Sequence, residues 1–293
     1  MDPPSPAGRS PRDERPIRAT TPGRLHNQHA AFMNDFDPQP TDLTPGPRQY
    51  SLPVILGVWA AAALPMGLLA FLIVPAVIPF IPLHPGLVFW IAMVVGMAWQ
   101  FVLALLLLSR EPGGLNWASL KGRIWLRAPS DPVTGERRGT LWWWVVPAIA
   151  ANFFLGLAAT QLDACWTWAA TVIPEPAYTQ ISGLADPQFR GQWWILGLVA
   201  VSSAFNYVLG EELLFRGVLL PRMAGVFGKW DWVANTLLFS LYHVHKIWSL
   251  PTILLSSFGT AWATRRFRSM WMGVIVHGIE GVVLFFMVVS VLA

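Results

Sequence analysis

Apolar residues fall along the chain in seven long runs, separated by short polar or proline-bearing stretches. The runs cover residues 53–74, 85–108, 141–161, 193–222, 232–247, 250–264 and 271–291. Several approach or exceed the ~20 residues that a helix needs to cross a bilayer. In lipid a spanning segment must satisfy its own backbone hydrogen bonds, and runs this continuously apolar do so as helices. The pattern predicts an all-α fold, a polytopic transmembrane helical bundle of about 7–8 spans. The piece around 75–84, with Pro75, Pro79 and Pro82, carries no charge and reads as a tight turn. Within 115–130, Trp and Leu alternate with Lys121, Arg123 and Arg127, which suits an interfacial helix or a plain cytoplasmic loop.

Three regions follow. Residues 1–50 hold ten of the 25 prolines and no apolar run, so they read as a disordered, Pro-rich cytoplasmic tail. Residues 51–192 carry the N-terminal transmembrane helices and their loops. Residues 193–293 carry the remaining helices, and with them nearly all the charge placed inside apolar runs. No internal repeat is visible.

Composition reinforces the membrane reading. The chain is 54% hydrophobic and 12% charged, against about 25% charged in a soluble domain. The net charge of +4 does not point to nucleic acid, because the basic residues flank apolar runs, where they encode topology. Arginines and lysines of the tail, of 110–138, of 216–229 and of 265–268 fall on alternate loops. This predicts a multi-pass protein of the cell membrane with a cytoplasmic N-terminus and an external C-terminus. Tryptophans near the run ends, such as Trp143, Trp194, Trp230 and Trp271, match interfacial anchors. The single cysteine, Cys165, excludes an intrachain disulfide and any multi-cysteine metal site.

Charges inside spans are costly and mark function. The set is small: Glu211, Glu212, Arg216, His243, His277 and Glu280, with His245 as an outlying candidate. On a regular helix Glu212 stacks over Arg216, four residues on, and forms an ion pair with it. Glu211 is rotated by about 100°, with Tyr207 and Phe215 as its neighbours, and has no local partner. A carboxylate so placed suits general-base work. His243 and His277, on other helices, can hold a water, donate to a developing oxyanion or bind a metal. His245, close to Lys246 and Trp248, reads as an interfacial residue.

E-E-x-x-x-R at 211–216, F-x-x-x-H at 239–243 and a third helix bearing His277 together resemble the CPBP intramembrane proteases. That family includes type II CAAX prenyl endopeptidases and bacteriocin-processing, Abi-like proteins. The resemblance extends through roughly 193–291 and does not reach residues 1–190. It implies an intramembrane endopeptidase, with Glu211 activating the water, Glu212 and Arg216 supporting it, His243 holding the water and His277 on the oxyanion-stabilising helix. The family is described both as metal-dependent and as metal-free. If a divalent metal such as zinc binds, Glu211, His243 and His277 are its candidate ligands. One departure stands out: the family's third motif commonly places an amide four residues after the histidine, and here that position is Gly281. Glu280 replaces the polar group, holds His277 or pairs with another helix.

The implied partners are membrane lipids and a peptide or membrane-protein substrate. The Gly281 departure also motivates a second reading, a catalytically weak or inactive protein of the same fold acting in immunity, scaffolding or peptide binding. A proton- or ion-coupled transporter is disfavoured by the clustering of charges in the C-terminal segments and by the lack of an inverted repeat.

Overall fold

The computed structural model describes residues 1–2, 47–165, 168–180 and 185–293. The expected disordered tail lies outside the described residues except for positions 1–2 and 47–50, and so does the side chain of Cys165. Every regular element among the described residues is helical.

Among the described residues five helices are long and apolar enough to cross a membrane, where about seven to eight spans were expected. They are α1 (Leu52–Phe80), α2 (Pro85–Ser109), the stretch Gly139–Leu162 that contains most of α4 (Val145–Cys165), α5 (Ile195–Arg222) and α9 (Met270–Leu292). Between α2 and α4 lies a short helix, α3 (Trp117–Arg123), within the stretch that suited an interfacial helix or a cytoplasmic loop. The runs 232–247 and 250–264 form three short helices: α6 (Asp231–Tyr242), α7 (Leu250–Ser256) and α8 (Phe258–Phe267). The breaks have local causes. His243 ends α6, Lys246 leaves helical geometry at φ −128°, and Pro251 restarts the chain as α7.

The expected turn over 75–84 is shorter than the sequence indicated. Helical structure continues through Pro75 and Pro79 to Phe80, because each proline sits at the first turn of a new helical segment, where its missing N–H is not required. Pro65, inside α1, cannot donate to the carbonyl of Ala61, and the Trp99 indole of α2 donates to that carbonyl instead, at 2.9 Å.

The candidate chemistry rides on α5, which lies against α2, α6 and α9. Two stretches of α5 are π-helical, Phe205–Leu209 and Glu212–Leu219, on either side of Gly210 and Glu211. Such bulges re-aim side chains relative to a regular helix.

The far end of α5 is fixed by a polar node. Arg222, fully buried, donates to both oxygens of Glu111 at 2.6 Å, and Arg123 joins the same carboxylate at 2.8 Å. The Tyr50 hydroxyl donates to Glu111 at 3.0 Å and the Tyr50 backbone N–H to the Arg222 carbonyl at 2.9 Å. Gln49 donates to the Pro221 carbonyl at 3.0 Å. Burial pushes the Glu111 carboxyl up, but the hydrogen bonds and charges of Arg222, Arg123 and Tyr50 outweigh it and hold the group below its ordinary value. Burial pushes the Tyr50 phenol up to about 12, with Arg222 opposing and Glu111 adding to the rise.

Candidate active site

Glu211 is buried, and its carboxylate is gripped from two sides. The Tyr242 hydroxyl, from the last residue of α6, donates to Glu211 Oε1 at 3.0 Å. That hydroxyl in turn accepts from Gln100 Nε2 of α2 at 2.7 Å, so the bonds run in one direction from α2 to the carboxylate. Asn206, with its amide oriented by its hydrogen-bonding neighbours, donates to the two Glu211 oxygens at 3.1 and 2.8 Å. The expectation that Glu211 lacks a local partner is therefore corrected. Asn206 lies five residues before Glu211, and the π-helical stretch between them makes a five-residue spacing the one that brings side chains together.

His243 sits where α6 ends. Its Nδ1 lies 2.9 Å from the carbonyl of Phe239. A carbonyl only accepts, so Nδ1 carries the proton and Nε2 is left as an acceptor. Nε2 faces Glu211 Oε1 at 3.9 Å. This is too long for a direct hydrogen bond, yet one water can sit within about 2.8 Å of both atoms. The two residues thus meet at one depth, although one lies mid-helix and the other at a helix end.

Glu212 and Arg216 pair as expected, at 3.4 Å with both side chains fully buried. The pair is not self-sufficient. Glu212 Oε1 also accepts from His277 Nδ1 at 3.0 Å. The Arg216 guanidinium lies over the Phe239 ring at 3.9 Å from its centroid, with no hydrogen-bond partner for its nitrogens. Phe239 therefore serves two ends of the site: its ring faces Arg216 and its carbonyl fixes His243. Close packing admits this arrangement only where α9 has no side chain, since a Cβ on Gly273 would lie 2.5 Å from Glu212 Oε2.

His277 stands between two carboxylates, with Nδ1 on Glu212 and Nε2 3.8 Å from Glu280. The Tyr207 ring meets it edge-on, centroids 4.9 Å apart. Tyr207 also lies against Gly281, leaving no space there for a side chain. Beside it a groove opens between α5 and α9, lined by Ala200, Ser203, Ala204, Gly278 and Gly281.

His245 departs from expectation. It is buried, 3% exposed, with its ring centroid 5.4 Å from that of His243. The 3-10 turn after Tyr242 replaces the helical rotation assumed for it and folds its ring back under the site.

Glu211, Glu212, Arg216, His243, His277 and Glu280 thus converge in one place. Sequence reasoning missed Asn206, Tyr242 and Gln100. Gln100 and Asn206 had a readable signal, since each is an uncharged polar side chain inside an apolar run. As for a metal, no three His, Cys, Asp or Glu side chains among the described residues are grouped to hold one. Both ring nitrogens of His277 face Glu212 and Glu280 rather than converging with Glu211 and His243, so the donor set does not fit a zinc ligand triad as it stands.

Residues 191–283 match the model of one family, described as Type II CAAX prenyl endopeptidase Rce1-like. The matched segment contains the site residues of α5, α6 and α9 and excludes Gln100. No curated protein and no solved structure matches the chain.

Proposed function

With residues 191–283 carrying an Rce1-like domain of the CPBP protease family in a multi-pass membrane protein, we propose that the chain is an intramembrane endopeptidase that works through a Glu211-activated water. The observation that carries this reading is the 3.9 Å approach of Glu211 Oε1 and His243 Nε2, close enough for one water beside the pair to bond both. Tyr242 and Asn206 hold the carboxylate in one orientation, and His243 accepts one hydrogen of the water while Glu211 takes the other.

In the proposed reaction the water oxygen attacks the scissile carbonyl carbon and its proton passes to Glu211. The carbonyl oxygen becomes an oxyanion, to which His277, as an imidazolium protonated on both nitrogens between Glu212 and Glu280, donates from Nε2 while its Nδ1 donates to Glu212. Collapse of the tetrahedral intermediate breaks the C–N bond, and Glu211 returns its proton to the leaving nitrogen. Arg216 and Phe239 keep Glu212 in place. No step is routed through a metal. Asn206 supports the base from the π-helical turn, a site where an amide fits, in contrast to position 281.

The groove between α5 and α9 gives the apolar part of a membrane-embedded substrate a route to the flank of His277. The name of the matched family points to a prenylated peptide as substrate. The proposed orientation keeps the N-terminus cytoplasmic, and the five long spans among the described residues, being odd in number, would place the C-terminus on the opposite side.

The test is cleavage of a verified substrate by the full chain in membranes, against Glu211→Gln and His243→Ala. Each variant loses on the order of 10² or more in rate with its thermal stability retained. Full activity in both would overturn the reading.

A further inference from the structure

Glu280 is the one charged residue of α9, ten positions after Met270 and twelve before Leu292. At about 1.5 Å per residue it stands ~15 Å from the nearer end of the span, close to mid-membrane depth. Its side chain is 57% exposed. The adjacent Ile279 and, one turn on, Val283 are also exposed, 41% and 62%, so the carboxylate emerges from an apolar surface.

A carboxylate at this depth is costly unless it is paired. The other acidic groups of the site have partners within the chain: Glu211 has Tyr242, and Glu212 has Arg216 and His277. The contact of Glu280 is with His277 Nε2, at 3.8 Å, and no lysine or arginine among the described residues pairs with it. Glu280 thus has no lysine or arginine partner among the described residues, and at the rim of the site it shares one imidazole, that of His277, with Glu212.

We infer that Glu280 is a specificity-determining residue that recognises a cationic group of the substrate, a Lys or Arg side chain or a free amine. This rests on the peptidase reading. The geometry also limits where the cation lies. A carbonyl oxygen about 3 Å from His277 Nε2 stands at most about 7 Å from the Glu280 carboxylate, which is within about two residues along an extended chain.

The experiment uses the full chain in lipid nanodiscs, with Glu211→Gln throughout to stop turnover. Three labelled Leu/Ala peptides of about 20 residues differ only in a central Lys, Gln or Glu, and their binding is read by fluorescence anisotropy. The Lys peptide binds on the order of tenfold tighter than the Glu peptide. Glu280→Gln removes that preference and Glu280→Lys reverses it, with thermal melting confirming that each variant folds. Equal binding of the three peptides, or a Lys preference that survives in Glu280→Gln, overturns the inference. Self-association that depends on Glu280 and shows no peptide preference overturns it in favour of a second copy. Binding is read without cleavage, so failure of the hydrolytic reading shows separately, in the cleavage assay.

Discussion

Tyr207 fills the place where a side chain at position 281 would go: a Cβ on Gly281 would lie 2.4 Å from Tyr207 Cε2. The amide expected four residues after His277 has no room while residue 207 is aromatic. The loss at 281 and the large ring at 207 are one packing solution, and the Asn206 amide next to that ring is directed at Glu211 instead.

Restoring the expected amide should therefore harm the protein. Gly281→Asn overpacks the α5–α9 contact and lowers stability by about 1–3 kcal/mol. Adding Tyr207→Ala relieves the clash, so the double variant is more stable than the sum of the singles by ~0.5–3 kcal/mol. Thermal melting in detergent over the four-member cycle measures this. Simple additivity would show that the two residues do not compete for the same space.

Removing the donors to Glu211 should lower turnover more than substrate binding. Tyr242→Phe leaves Gln100 without its acceptor and removes one of the two donors to Glu211 Oε1, while Asn206→Ala removes the other and the donor to Oε2. Each should reduce kcat by roughly 10–10², part of the general-base contribution, with KM nearly unchanged. A rise in KM at constant kcat would place these residues in substrate binding.

The buried Glu212–Arg216 pair should be needed as a pair. Arg216→Ala leaves Glu212 desolvated with His277 as its remaining partner and costs about 3–5 kcal/mol. Phe239→Leu keeps most of the volume and removes the ring face under the guanidinium, for a smaller loss of about 1–2 kcal/mol. Denaturation midpoints in one detergent give the order, and an equal loss in the two variants would argue against the ring contact.

Glu111 sets a pH dependence outside the membrane. Its folded-state pKa lies below the ordinary value of 4.5. The stabilisation it contributes is fully present above that value and is lost as pH falls through the lowered one. Wild type should therefore melt above Glu111→Gln by a constant margin at neutral pH, and the margin should shrink below about pH 4.5. A margin that holds to strongly acidic pH would mean that the node works without its charge.

Metal content provides the last check. Purified protein should hold less than one equivalent of zinc, and chelators should leave cleavage unchanged. One bound equivalent that disappears in Glu211→Gln and His243→Ala would require the His277 ring to swing away from Glu212 and Glu280.

The sequence exposed the site's charges because charge within an apolar run is conspicuous. Glu211, Glu212, Arg216, His243, His277 and Glu280 were all readable for that reason, and they do meet. Fold class was legible from the same apolar runs. Span count was not, since hydropathy alone cannot see that α6 stops at Tyr242 or that Lys246 leaves helical geometry. Partners set by local backbone were also hidden. The wheel of a regular helix assigns Glu211 the neighbours Tyr207 and Phe215, whereas π-helical turns hand it Asn206. His245 was misplaced by the same assumption.

The π-helical turns give the site a property that no single side chain reveals. Along α5 the carboxylate faces Tyr242 and His243 because the chain carries surplus residues relative to a regular helix. Chemistry here is stored as phase. Deleting one residue between Phe205 and Leu209 would leave every proposed catalytic group in the sequence and turn Glu211 by about 100° away from them. In this stretch of α5 a change of length is therefore more disruptive than most changes of residue type.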